Sequence, residues 1–337
     1  MPWLAMPPDL SSLKTTLATS TQVKSKLGRL QQWRNATQVG FFILFLLAPA
    51  LNLLRFDLYE AQLWFLGMRW TLGIDAFTRG EINATQVAIN IVLRAFLPAL
   101  VFIAVFLGIA YRYGRVYCGW LCPHFSAVET LNNFLHRACG KLSIWDRSVT
   151  PRANIQPNAR WWPIFGLSCA IMGFLWAITL LTYLLPPAVI WGGLVQGTLT
   201  PNQARFIGIG SLIFTAEFAF ARHLFCRFGC AVGLFQSLAW MANPRSMVVT
   251  FARERAKDCK TCDEPRGSAC DNACPMRLNP RNIKRKMFSC VQCGQCLTAC
   301  DTSQQAQGRE PTLVWHVGVE ALRETLRHRR KDHSEHS

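Results

Sequence analysis

Four long apolar runs constrain the fold of this chain more than any other feature of its sequence. They cover approximately residues 37–56, 87–111, 161–189 and 206–225. A transmembrane helix needs roughly 20 predominantly apolar residues, and each run reaches that length with its flanks. The composition agrees, because 51% of the 337 residues are hydrophobic and only 16% are charged, against about 25% in a typical soluble protein. The sequence therefore predicts an α-helical membrane protein built on a four-helix transmembrane bundle.

Lys and Arg are distributed unevenly between the runs, and their distribution predicts the orientation. The loop at about 112–160 contains seven and the segment after Cys226 contains 18, whereas the loop at 190–204 contains none. Because Lys and Arg accumulate in cytoplasmic loops, both termini are expected on the cytoplasmic side of a bacterial inner membrane. The formal net charge of +17 then reflects contact with anionic membrane lipid, and no nucleic-acid partner is expected.

The strongest chemical signal is a run of four cysteines with the spacing Cys290-x2-Cys293-x2-Cys296-x3-Cys300. Bacterial ferredoxins have this spacing, and the last cysteine of such a run ligates the other of two clusters. A second run is therefore expected upstream. It is present as Cys259-x2-Cys262-x7-Cys270-x3-Cys274, with five extra residues in its middle gap.

Crossing the two runs predicts two [4Fe–4S] clusters. One would be bound by Cys259, Cys262, Cys270 and Cys300, and the other by Cys274, Cys290, Cys293 and Cys296. Zinc is the main alternative, since paired cysteines also bind zinc, but two four-cysteine runs of this kind do not resemble a zinc ribbon. Disulfides are disfavoured because the cytoplasm keeps thiols reduced.

Two further cysteine pairs form an internal repeat. Cys118 and Cys122 follow the second apolar run, and Cys226 and Cys230 follow the fourth, each pair after an aromatic residue. If each pair lies on a helix at the cytoplasmic membrane face, its two sulfurs share one side and the four thiols can converge. Such thiolates suit an iron–sulfur cluster, copper(I), zinc or a redox dithiol pair, and the spacing leaves these open. The cysteines without partners at motif spacing are interpreted as structural; they are Cys139 and Cys169.

Glu217 is an ionisable residue inside the fourth apolar run, nine residues before Cys226. Intramembrane ionisable residues are functional candidates, and Glu217 is a candidate proton acceptor if a quinol binds between the helices. Arg94, in the second run, is its candidate ion-pair partner, and a polar contact between helices is the structural alternative. No motif for c-type haem or a dinucleotide is present, so the redox equipment is based on cysteine.

These features divide the chain into four parts. Residues 1–36 are a cytoplasmic N-terminal segment, and residues 37–245 are the membrane domain. Residues 246–308 are polar, rich in cysteine and too short for a conventional core, so a small α+β ferredoxin-like domain held together by its clusters is expected. Residues 309–337 form a basic tail, in which a helix is expected over 311–331.

The ordered combination of motifs resembles a known group of proteins. Arg55-Phe56-Asp57 follows the first run, Cys118-Gly119-Trp120-Leu121-Cys122-Pro123 follows the second with Glu129 beyond it, and the second pair and two ferredoxin runs come next. Over residues 37–305 this order is similar to the membrane polyferredoxins of the NapH/MauN type, to the C-terminal half of NosR-type proteins and to the CcoG/FixG/RdxA accessory proteins of cytochrome oxidase. Ala231 stands where the group usually has proline. No further span and β-domain follow residue 308, which favours the NapH-like branch.

The resemblance implies membrane-bound electron transfer. NapH-like subunits are associated with quinol oxidation and electron delivery toward periplasmic reductases or cofactor maturation. The leading expectation is an iron–sulfur protein of the quinol dehydrogenase type, which passes electrons between a quinone pool or cytoplasmic donor and a redox partner such as a ferredoxin-like subunit, a cytochrome or a reductase. CcoG-like proteins are associated with copper reduction, so the alternative is an assembly factor that reduces Cu(II) at Cys118, Cys122, Cys226 and Cys230.

Overall fold

Three helical stretches are long and apolar enough to cross a membrane, namely Ala84–Tyr113, Trp161–Thr182 and Pro201–Ala221. The structure is a computed structural model that describes residues 10–60, 62–147, 149, 156–262, 267–324 and 326, and the three stretches are those found within these residues. They coincide with the second, third and fourth apolar runs. The molecule is mostly helical, and its apolar helices are those of a membrane protein.

The described residues contain five strands and, besides the helical residues 319–324, twelve α-helices. The α-helices are α1 (Leu10–Leu47), α2 (Ile74–Thr78), α3 (Ala84–Ile91), α4 (Leu97–Tyr113), α5 (Val116–Trp120), α6 (Pro123–Cys139), α7 (Trp161–Thr182), α8 (Pro187–Gln196), α9 (Pro201–Ala216), α10 (Ala231–Ala242), α11 (Ala269–Ala273) and α12 (Gln295–Gln305). The strands are β1 (Leu54–Asp57), β2 (Gln62–Phe65), β3 (Met68–Trp70), β4 (Val248–Phe251) and β5 (Leu313–His316). Three π-helical turns occur at Val92–Phe96, Glu217–Ala221 and Phe225–Gly229, and two 3-10 helices at Arg253–Thr261 and Lys284–Met287.

Helix α1 differs from the first predicted span. It ends at Leu47, and β1 begins at Leu54, so the prediction of one helix across 37–56 is wrong at its C-terminal end. Pro49 explains the end, because proline lacks the N–H of a continuing helix and its ring clashes with the preceding turn. The apolar end of α1 packs on α7, where the rings of Phe42 and Phe45 lie 5.7 and 5.2 Å from the ring of Trp176.

Helices α7 and α9 pack closely because small residues line their crossing. Gly173 of α7 faces Thr215 of α9 so closely that an added Cβ would overlap the threonine side chain. A Cβ added to Gly210 of α9 would lie 3.2 Å from the Cβ of Ala177 of α7, which is a tight contact. Small residues at such crossings let two membrane helices approach and gain van der Waals contact.

A small antiparallel sheet joins α1 to the second apolar run. Its strand order is β1-β2-β3, and β1 contains a buried ion pair in which Arg55 Nη1 lies 2.7 Å from Asp57 Oδ2. The backbone N–H of Phe56 donates to the carbonyl oxygen of Tyr183 at 2.9 Å. The sheet is therefore fixed against the C-terminal end of α7.

The cysteine-rich region folds around a second, two-stranded sheet. Strands β4 and β5 pair antiparallel, with Val248 opposite His316. The prediction of a helix over 311–331 is wrong at residues 313–316. These residues form strand β5, which pairs with β4, and Leu313 is buried against the cysteines of α12. Residues 319–324 are helical, and residues 325 and 327–337 lie outside the described part of the chain.

Candidate metal centres

The chain reverses direction at Gly114, between α4 and α5. Gly114 has a φ of +72°, a left-handed conformation that favours glycine. Helix α5 then runs back beside α4, because the ring of Tyr117 lies 5.5 Å from the ring of Phe106.

Arg222 makes the equivalent reversal in the second half of the repeat. It ends the π-helical extension of α9 with a φ of +43°. The rings of Phe218, before the reversal, and Phe225, after it, both pack on the ring of His124, at 5.3 and 5.2 Å. The two cysteine pairs are thus carried by two similar re-entrant segments, residues 114–122 and 222–230.

The first turn of α6, directly after Cys122, lies beside Trp176 of α7. Helix α6 runs antiparallel to α7, since Phe134 stacks on Trp161 at 5.9 Å whereas His124 lies 6.1 Å from Trp176. Between Phe134 and His124, α6 advances ten residues, or about 15 Å, along a helix of 22 residues that is about 33 Å long. The prediction that each cysteine pair lies on one helix is wrong, because Cys118 lies on α5 whereas Cys122 caps α6, and Cys226 lies in the turn Phe225–Gly229 whereas Cys230 caps α10.

The four cysteines of the repeat gather between the re-entrant segments and are called the four-cysteine site. Cys122 and Cys230 are the N-cap residues of α6 and α10, both with extended backbone. Cys118 and Cys226 are buried in one apolar cluster, and electrostatic interactions couple Cys226 to the other three. Two helix N-termini therefore meet at this site, and their partial positive charge favours thiolates.

Polar side chains surround the sulfurs of the four-cysteine site. Gln236 of α10 donates a hydrogen bond to Cys118 Sγ at 3.3 Å. Arg115 Nη2 lies 3.8 Å from the same sulfur and donates to the carbonyl oxygen of Cys226 at 2.8 Å. His124 Nδ1 lies 3.5 Å from Cys226 Sγ. Hydrogen bonds of this kind to ligand sulfurs tune the properties of a bound metal.

Glu217 contacts the four-cysteine site through His124. Its Oε2 lies 3.0 Å from His124 Nε2, on the opposite side of the ring from the Cys226 sulfur. The predicted pair between Arg94 and Glu217 is wrong, because the Arg94 guanidinium donates to the carbonyl oxygen of Thr71 at 3.0 Å, close to β3. Glu217 therefore makes a polar contact between helices with His124 of α6, as in the structural alternative, and this contact lies beside the four-cysteine site.

Four cysteines from both ferredoxin runs line one cavity, called the Cys274 cavity; they are Cys274, Cys290, Cys293 and Cys296. It is partly open to solvent, with apolar side chains such as Met276 and Val291 on its walls. Burial raises the pKa of the Cys274, Cys290 and Cys293 thiols to about 12. Because a metal deprotonates the thiols that bind it, this set suits a cationic iron–sulfur core.

The other four ferredoxin cysteines lie near the start of β5. The Thr312 hydroxyl oxygen is 3.6 Å from Cys259 Sγ and 3.3 Å from Cys300 Sγ. It therefore stands between the first cysteine of one run and the last of the other. Ser303 donates to Cys262 Sγ at 3.5 Å, and Ser268 lies 3.3 Å from Cys270 Sγ. Of the insert in this run, residues 263–266 lie outside the described part of the chain.

Helix α5 packs directly against the loop that carries Cys290 and Cys293. A Cβ on Gly119 would overlap the carbonyl oxygen of Val291, and Trp120 Nε1 donates to the carbonyl oxygen of Gln292 at 3.0 Å. Cys118 shares one apolar cluster with Cys274 and Cys293. The four-cysteine site and the Cys274 cavity are therefore neighbours.

Glu129 of α6 ties the same loop to α1. Its Oε1 accepts a hydrogen bond from the buried Arg34 at 2.5 Å, and it also accepts one from Gln295 of α12. Gln31 of α1 donates to the carbonyl oxygen of Cys293 at 3.1 Å. Three elements that are distant in the sequence thus meet at one carboxylate.

The donor set fits iron–sulfur clusters by its chemistry. Cubane clusters are held by four thiolates each, and seven of the twelve cysteines are buried. Within the described residues, no three or more His, Cys, Asp or Glu side chains are arranged to hold a metal ion. The two remaining cysteines lie apart: Cys139 donates to the Leu135 carbonyl oxygen at 3.3 Å, and Cys169 is buried against Phe165 and Trp176.

One segment of the chain matches a protein-family model. Residues 95–141 match a model described as a 4Fe-4S binding domain. These residues contain Cys118 and Cys122 and end before the two ferredoxin runs. No solved structure matches the chain.

Several curated proteins are distantly similar to this chain. RdxA of Cereibacter sphaeroides is 26% identical over 235 residues, which cover 61% of this chain and 44% of RdxA. YccM of Escherichia coli, whose name provisionally assigns it to electron transport, is 22% identical over 217 residues, 60% of this chain and 53% of YccM. MJ0749 of Methanocaldococcus jannaschii is 22% identical over 229 residues, 68% of this chain and 75% of that protein. The matched regions span about half the length of RdxA and YccM.

Proposed function

We propose that the chain is a membrane-bound iron–sulfur electron-transfer protein of the quinol dehydrogenase type. Two [4Fe–4S] clusters would lie in its ferredoxin-like domain and a third centre at the four-cysteine site. The observation that carries the proposal is the contact of Gly119 with Val291, because it brings the sulfur ligands of the membrane helices next to those of the Cys274 cavity. When bound, such clusters supply one-electron transfer.

The crossed ligand sets are supported by contacts between the two ferredoxin runs. The Cys274 cavity unites the last cysteine of the first run with three of the second. Thr312 stands between Cys259 and Cys300, as expected if Cys259, Cys262, Cys270 and Cys300 hold the other cluster. The name of the model that matches residues 95–141 supports iron and sulfur at the four-cysteine site, where Cys226 and Cys230 would complete the ligands begun by Cys118 and Cys122.

The membrane side of the reaction would involve a quinone. Oxidation of a quinol releases two electrons and two protons, and Glu217 is the proposed acceptor for a proton. Its contact with His124, whose other nitrogen faces Cys226, puts a carboxylate beside the proposed electron acceptor. The redox partner would be a ferredoxin-like subunit, a cytochrome or a reductase, and the protein would lie in the bacterial inner membrane with its clusters on the cytoplasmic side.

Anaerobic reduction of the purified protein tests this function. A reduced quinol analogue is added to oxidised full-length protein in detergent, and the iron–sulfur absorbance and low-temperature EPR spectra are recorded. Quinol-driven bleaching with the appearance of [4Fe–4S] signals is expected. A protein that dithionite reduces but no quinol does would contradict the quinol dehydrogenase role, and a colourless protein with stoichiometric zinc would contradict the iron–sulfur assignment.

Copper reduction is the second candidate, favoured by the similarity to RdxA and by the soft sulfur donors of the four-cysteine site. In this function an electron from a reduced cluster would convert one Cu(II) ion to Cu(I) at these sulfurs. Stopped-flow mixing of dithionite-reduced protein with Cu(II) is the test. If Cu(II) reoxidises the wild-type clusters but not those of Cys118→Ser, copper reduction is supported. If Cu(II) reoxidises both proteins at the same rate, copper reduction at this site is contradicted.

A further inference from the structure

Arg115 is a buried cation that touches both halves of the four-cysteine site. Only 2% of its surface is exposed. Its Nη2 donates to the carbonyl oxygen of Cys226 at 2.8 Å and lies 3.8 Å from Cys118 Sγ. Since Arg115 belongs to the first re-entrant segment and Cys226 to the second, the guanidinium bridges the two.

No carboxylate compensates this charge among the described residues. Arg34, the other fully buried arginine beside the clusters, pairs with Glu129, whereas Arg115 forms no such pair within the described part of the chain, and its Nε has no hydrogen-bond partner there. Burying an unpaired charge is strongly unfavourable. The nearest groups able to carry negative charge are sulfurs, since Arg115 interacts electrostatically with Cys118 and Cys290.

Helix α10 leaves space for the Arg115 guanidinium at one glycine. A Cβ on Gly233 would overlap Arg115 Nη2, so glycine is required where the arginine enters. One turn later on the same helix, Gln236 donates to Cys118 Sγ at 3.3 Å. On α10, Gly233 therefore leaves space for the Arg115 guanidinium beside Cys118, and Gln236, three residues later, donates a second hydrogen bond to the same sulfur.

We infer that Arg115 is a positioning residue that acts as the fixed counter-ion of the four-cysteine centre and raises its reduction potential. The inference rests on the proposed function, because it requires an anionic thiolate-bound centre at this site. Reduction adds negative charge, and a fixed cation near a ligand sulfur stabilises the more negative state. Charge and hydrogen bonds at the sulfurs are among the factors that set the potential of an iron–sulfur cluster.

An EPR-monitored redox titration of the full-length protein tests this role. Arg115→Gln is expected to shift the oxidation equilibrium of the third centre at least tenfold toward the oxidised form, which corresponds to 59 mV for a one-electron couple. Arg115→Lys keeps the charge and should show a smaller shift. Arg112→Gln is the matched control, because Arg112 is exposed three residues away, and it should leave the potential unchanged.

The outcomes separate this role from the proposed function. An unchanged potential in Arg115→Gln, with the third signal intact, overturns the role of Arg115 alone. If Arg115→Gln does not assemble the centre, retention in Arg115→Lys supports a charge requirement, and loss in both variants overturns it. Gly233→Ala, which displaces the guanidinium without removing it, should lower the potential in the same direction. A wild-type protein without a third signal overturns the proposed centre and this role with it.

Discussion

The side chains around Cys118 and Cys226 determine what the four-cysteine site can do. The cysteine spacing predicted the four sulfurs, and the ionisable residue inside the fourth apolar run predicted Glu217. It did not predict Arg115, His124 or Gln236, which contact the site from different elements. The available signals were weak: Arg115 precedes Cys118 by three residues, and His124 follows Cys122 by two. Contacts between distant segments, such as Gln236 with Cys118, have no local pattern to reveal them.

Replacing a single sulfur should remove one centre only. In Cys118→Ser or Cys226→Ser we expect the third EPR signal to disappear while both ferredoxin signals remain, because these sulfurs belong only to the four-cysteine site. Cys139→Ser is the control, since its hydroxyl can keep the hydrogen bond to Leu135. Identical spectra in wild type, Cys118→Ser and Cys226→Ser would contradict a centre at this site.

Removing the carboxylate of Glu217 should slow quinol oxidation specifically. We expect Glu217→Gln to lower the rate of quinol-driven reduction about 10²-fold, the effect typical of a lost general base, and to leave reduction by dithionite unchanged. Glu310→Gln, at an exposed position, serves as the control. Equal quinol-driven rates in Glu217→Gln and wild type would exclude the carboxylate as proton acceptor.

The two re-entrant segments are the elements that the sequence did not predict. Apolar runs give the position of a span but do not show where the chain reverses at its end. The reversals depend on single residues with positive φ, Gly114 and Arg222. Gly114 could have been recognised as a helix stop, whereas an arginine in this conformation has no such signal.

Helix α5 should tolerate no side chain at the contact with the ferredoxin loop. We expect Gly119→Ala to destabilise the protein by about 1–3 kcal/mol, the usual cost of overpacking, because its Cβ would overlap the Val291 carbonyl oxygen. Gly108→Ala on α4 is the control, since a Cβ there meets nothing within 4 Å. Thermal unfolding in detergent measures both, and an equal melting temperature for Gly119→Ala and wild type would contradict the close contact.

In the molecule as a whole, the apolar helices and the cysteine-rich region contact each other close to Cys118 and Cys293, where α5 packs against the loop at Val291. Apolar length and charge predicted the helical membrane part, and cysteine spacing predicted the eight ferredoxin residues. The end of α1 at Leu47 and the strand β5 were not predicted, because Pro49 and the pairing with β4 override the local apolar pattern. The pair Arg34–Glu129, which holds α1 to α6, depends on residues 95 positions apart.

The crossed ligation makes a specific prediction for Cys300. Because Thr312 stands between Cys259 and Cys300, the spectrum of Cys300→Ser should resemble that of Cys259→Ser, with the same cluster lost. It should differ from that of Cys290→Ser, although Cys290 and Cys300 lie in the same run. EPR of the three reduced variants decides this, and a match between Cys300→Ser and Cys290→Ser would show that each run binds its own cluster.

Iron content per chain, measured with EPR on the anaerobically purified full-length protein, tests most directly whether three thiolate-bound centres are present. We predict about 12 iron atoms and as many sulfides per chain, from three cubane clusters. The double variant Cys118→Ser with Cys226→Ser should contain about eight. About eight iron atoms in both proteins, with identical spectra, would contradict a centre among the membrane helices, and zinc in place of iron would contradict electron transfer by this chain altogether.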